Sequence, residues 1–84
     1  MKAERDPLRV IWETYPVGCA VVYRINEQEY RGIVETLPRQ LCGRFWIVRL
    51  RDMDDRYANR FGSRCAPAAP LRFVRRAATA HQAV

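Results

Sequence analysis

The chain has 84 residues, 49% of them hydrophobic and 29% charged, with a formal net charge of +6. That length gives one domain with a small core, burying roughly 60–65% of its unfolded surface, so each large apolar residue counts. No apolar run approaches the ~20 residues of a membrane span, and Met1 to Pro7 lack the apolar stretch of a secretory signal, so a cytoplasmic chain with no membrane partner is expected.

In chain order, residues 6–15 read as a short helix in an N-terminal arm (1–15). Asp6 suits the N-cap and Pro7 the first helical position. Leu8, Ile11, Trp12 and Tyr15 then form one apolar stripe, and Pro16 and Gly18 stop the helix. A strand through Val10-Ile11-Trp12 is the alternative. From Val17 the period becomes two, and Val17, Cys19, Val21, Tyr23 and Ile25 share the apolar face of a first strand. Asn26-Glu27-Gln28-Glu29 makes the turn. A second strand covers Tyr30 to Leu37, with Gly32 marking a bulge, a bend or a close approach. Pro38 ends it.

The third strand runs from Arg44 to Arg51, with Trp46, Val48 and Leu50 facing one way and Phe45, Ile47, Arg49 and Arg51 the other. Asp52 to Asp55 reads as a turn. It starts like a calcium loop, but Arg56 holds the fifth position and no glutamate follows at the twelfth. A fourth strand is expected within Arg56 to Cys65, broken by Gly62. Ala66-Pro67-Ala68-Ala69-Pro70 suits a single helical turn, and Leu71 to Val74 a short closing strand. The tail (76–84) has little to bury.

Fourteen of the fifteen basic residues are arginine. This points to an anionic partner, because arginine suits phosphate and planar acceptors; a GC-rich genome would also produce it. Cys19, Cys42 and Cys65 are an odd number without a Cys-x-x-Cys pair, and His81 is the single histidine. Neither a disulfide framework nor a zinc site is legible. No nucleophile–base pair can be read either, so no catalytic group, metal or cofactor is expected and the chain reads as a binding module.

Three segments carry a resemblance: Val17-Gly18-Cys19-Ala20-Val21, Tyr30-Arg31-Gly32-Ile33-Val34, and Pro67-Ala68-Ala69-Pro70-Leu71-Arg72-Phe73-Val74. With five short strands and a one-turn helix before the last, residues 16–75 resemble an SH3-like small barrel of the Tudor or KOW type. The resemblance implies a mostly β fold and is nearly silent on function. Plasmid-borne type II dihydrofolate reductases are similar in size and segment order. Gly62-Ser63-Arg64-Cys65-Ala66 does not match their catalytic motif, so no activity carries over. Small barrels of this kind are also frequent among mobile-element proteins.

In such a barrel Val21, Val34, Trp46, Val48, Leu50, Leu71 and Phe73 point inward, and Arg24, Arg31, Arg49, Arg51 and Arg72 outward. Phe45 and Ile47 face outward too, to stack on bases or to be covered by the helix stripe. The segment from Arg56 to Arg64 is expected to project as a loop. The first reading is nucleic-acid binding, with Arg49, Arg51, Arg56, Arg60 and Arg64 on phosphates and Tyr57 or Phe61 stacking on bases. The second is a protein-interaction module docking on an acidic partner or self-associating through a strand edge.

Overall fold

The computed structural model describes residues 7–43 and 45–77, the side chains of 7–9 excepted. The expected N-cap Asp6, Arg44 and His81 therefore lie outside the described residues, as does the side chain of Leu8. Among the described residues, five antiparallel strands form one sheet, accompanied by two α-helices. The order across the sheet is β4-β3-β2-β1-β5. Those strands are β1 (Ala20–Ile25), β2 (Gln28–Cys42), β3 (Phe45–Arg51), β4 (Ala66–Pro70) and β5 (Val74–Arg76). No pairing joins β4 to β5 among the described residues, so the sheet has two edges.

Helix α1 (Pro7–Thr14) forms where the apolar stripe places it. Trp12 Nε1 donates to Pro38 O at 3.0 Å, and Tyr15, just past the helix, donates its hydroxyl to Val74 O at 3.0 Å. Arg76 Nη1 donates to Thr14 O at 2.9 Å, satisfying a carbonyl that the helix end leaves open.

β1 and β2 join through Asn26 and Glu27 alone, both at positive φ (49° and 72°), the geometry of a tight two-residue hairpin. Pro38 does not end β2. It sits where the register with β3 shifts between Thr36 and Arg39, so no ladder bond requires its missing N–H, and the strand continues to Cys42.

Between β3 and β4 the chain departs furthest from expectation. The anticipated fourth strand is a helix, α2 (Asp55–Phe61), and no loop projects there. Asp54 caps it by accepting from Tyr57 N, and Gly62 closes it at φ 77°, where a side chain would be strained. Ala66-Pro67-Ala68-Ala69-Pro70 is not a helical turn but β4, an edge strand, the place in a sheet where proline is tolerated. The single turn of 3-10 helix follows at Leu71–Phe73, and the closing strand begins only at Val74.

The core lies on one face of the sheet. Val21, Val34, Val48 and Leu50 are at most 1% exposed there, as expected, and Met53 and Tyr57 cover them from the α2 side. Trp46 keeps the inward phase but is only half-buried; it stands near the start of β3, paired with Gln40 and outside the core cluster. Phe73, expected inward, is 44% exposed, because it belongs to the 3-10 turn and not to a strand. Ile47, expected on the outer face either to stack on bases or to be covered by the helix stripe, is 3% exposed, which fits the second; its strand partner Arg39 adjoins Pro38, against which α1 is fixed through Trp12.

Candidate nucleic-acid interface

The segment from Arg56 to Arg64 is built into the fold. Tyr57 is 7% exposed and belongs to the core, so it offers no platform. Phe61 is partly exposed, but its ring lies 4.5 Å from that of Tyr57 and 6.0 Å, edge-on, from that of Tyr30. Arg60 Nη1 donates to Tyr30 Oη at 3.0 Å, and its guanidinium lies over Phe61. Arg64 spans Met53 O at 2.9 Å and Asp55 Oδ1 at 2.6 Å. Arg56 also reaches back to β2, donating to Gln28 Oε1 at 2.8 Å and lying over Tyr30. The signal for this helix was present: Met53, Tyr57 and Phe61 recur at i, i+4 and i+8, with an aspartate before and a glycine after.

The strands bring other arginines together. On the face of the sheet opposite the core, Val22 is paired with Arg31 on one side and Arg75 on the other. Arg24 lies two residues along β1 on the same face, opposite Glu29. Neighbouring strands are ~4.8 Å apart and alternate residues ~6.7 Å, so these guanidinium groups share one patch. Val22 between them is 6% exposed, consistent with arginine stems lying over it. Arg31 and Arg56, with Asp54, line a shallow depression that also includes Arg75. A second depression, lined by Arg24, Arg72 and Phe73, shares Arg75 and Glu29 with the first. The result is a track, Arg72–Arg24–Arg75–Arg31–Arg56, running across three strands. Sequence alternation put Arg24, Arg31 and Arg72 outside; Arg75 was missed because the closing strand was placed too early.

Arg49 and Arg51 lie on the same side of β3 but are paired, Arg49 Nε with Glu35 Oε1 at 3.3 Å and Arg51 with Asp52. In the track, Arg75 pairs with Glu29 at 3.2 Å, with side chains 60% and 50% exposed. Such exposed pairs contribute only about 0–1 kcal/mol and yield to a stronger anion. Arg24 and Arg31 have no side-chain partner among the described residues. Arg72 is held by its own neighbour, its guanidinium 4.9 Å above the Phe73 ring.

Asp54 lines the same depression as Arg31 and Arg56, and both its oxygens are committed. Oδ2 accepts from Arg31 N at 2.8 Å and Oδ1 from Tyr57 N at 2.9 Å. Desolvation pushes its pKa upward, but the two amide hydrogen bonds and the Arg56 charge outweigh this and hold the carboxyl below its ordinary value. Cys19 is half-buried, and burial pushes its pKa up against the opposing charge of Arg76. Among the described residues, no three histidine, cysteine, aspartate or glutamate side chains gather in a group able to hold a metal ion. No described helix is long and apolar enough to cross a membrane. No protein-family model, curated protein or solved structure matches the chain.

Proposed function

We propose that this protein is a nucleic-acid-binding module whose contact surface is the arginine track on the outer face of the sheet. The observation that carries the reading is the strand register, which sets Arg75, Val22 and Arg31 in one row with Arg24 beside them. Guanidinium groups spaced by a sheet suit the phosphates of a nucleic-acid backbone, and releasing condensed counterions drives such binding. The strand order, with a 3-10 turn between the last two strands, supports reading the fold as an SH3-like small barrel. In that reading β4 and β5 are the strands that approach each other, and the track crosses β1, β2 and β5 on the barrel exterior.

Protein docking through a strand edge has less support. β4 is five residues long and includes Pro67 and Pro70, which cannot donate to an added strand. β5 offers only three residues. Docking on an acidic protein would use the same arginines, so the experiment must separate the two.

The triple variant Arg24→Ala/Arg31→Ala/Arg72→Ala should bind nucleic acid more weakly and reduce the log–log salt slope by about 2–3 through three lost phosphate contacts. Arg60→Ala/Arg64→Ala removes two equal charges that serve the fold. It should lower the melting temperature and leave the slope unchanged. If both variants lose binding alike, net charge and not the track is responsible. If the wild type binds no nucleic acid at low salt, docking on an acidic protein replaces the proposal.

A further inference from the structure

At the Arg72 end the track meets an aromatic cleft. Tyr15, Phe45, Trp46, Leu71 and Arg72 line about 260 Å³. Arg72 belongs both to this cleft and to the depression containing Arg24 and Arg75, so the two adjoin at that residue. Tyr15 and Leu71 also pack against the core, whereas Phe45 and Trp46 stand outside it. Phe45 remains 37% exposed and Trp46 half-buried. Two aromatic side chains thus line an open cleft in which they complete no part of the core, beside a cation that the cleft shares with the arginine track.

We propose that this cleft receives one unpaired base of a single-stranded nucleic acid whose phosphates follow Arg72, Arg24 and Arg75. The inference rests on the nucleic-acid reading above and adds strandedness to it. A base is planar and apolar on its faces, so aromatic walls suit it, while its attached phosphate needs the cation at the rim. The cleft is slightly below the usual ~300–1,000 Å³ of small-molecule sites, so its size suits a single ring system. A base held within a duplex must first leave its stack, at a cost of a few kcal/mol, and single strands are free of that cost. DNA and RNA single strands present the same chemistry here.

The test compares wild type and Phe45→Ala on oligothymidylate, oligouridylate, an abasic strand of equal length and charge, and a duplex. The wild type should bind at least one base-bearing strand more tightly than the abasic strand and the duplex. Phe45→Ala should weaken that binding by about 5- to 150-fold, the loss of one stacked base, and leave abasic and duplex binding unchanged. Trp46→Ala, confirmed folded by its melting transition, should act in the same direction. Equal wild-type affinity for base-bearing, abasic and duplex probes overturns the base pocket and leaves the arginine track standing. An unchanged affinity in folded Phe45→Ala also overturns it. No binding to any probe at low salt overturns both proposals together.

Discussion

A Cβ at position 32 would lie 2.3 Å from Met53 Sδ and 3.4 Å from Arg51 O. Met53 is fully buried, so its side chain has nowhere to retreat. Gly32 is therefore the space that lets Met53 seat against the middle of β2. A glycine inside an alternating strand signals a bulge, a bend or such an approach, and the structure shows the last of the three. The approaching atom was not legible, because Met53 comes from a segment read as a polar turn. Gly32→Ala should cost about 1–3 kcal/mol, the range for forcing one methyl into a filled core. Met53→Ala alone should cost about 2–5 kcal/mol. Combined, the two should cost less than their sum, since removing the thioether frees the space the new methyl needs. Denaturant unfolding of the four proteins measures this coupling, and strict additivity would show that the two positions do not touch.

Elements with a clear period were legible: α1, β1, the first half of β2, and β3. Those fixed by tertiary partners were not. α2 is only seven residues long, and its strongest start signal, Asp54, lies in an acidic run that reads equally well as a turn. In the structure Asp54 does two things at once, capping α2 and hydrogen-bonding Arg31 N of β2 just beyond the reach of β3. This second bond joins residues 23 apart, which no local pattern discloses. β4 was misread because two prolines in five residues argue against a central strand, yet permit an edge strand. The candidate site divided in the same way. Outward arginines on regular strands were legible, whereas the loop expected over Arg56–Arg64 is largely a helix, with Arg60, Arg64 and Phe61 held by contacts within the fold. Asp54→Ala should cost up to about 2 kcal/mol, the range for removing a capping side chain, whereas Asp54→Asn keeps a capping oxygen and removes the charge of Asp54. Its folded pKa lies below the unfolded value, so its contribution is full above the unfolded pKa, near 4, and is lost as pH falls through the folded one. Wild-type stability should therefore drop more steeply below pH ~4 than that of Asp54→Asn. Parallel acid limbs in the two stability profiles would show that Asp54 carries no charge-dependent bond.

At the scale of the whole molecule, one face of the sheet holds the core and the other presents arginines. Exposed acids pair with several of them but stay in water, so the net charge of +6 remains available to a partner. The track is continuous because the strand order brings β5 beside β1, joining Arg75 to Arg24 and Arg31 across residues distant in sequence. On the proposed reading that juxtaposition suits an anionic polymer better than a small anion, since each arginine along the adjoining depressions would face a phosphate. The most direct measurement is a salt titration of wild-type binding to a nucleic-acid strand long enough to span the sheet. A log–log slope of about −3 to −4 is expected if the five arginines of the track each neutralise a phosphate. A slope near zero, or no binding at low salt, would contradict the account.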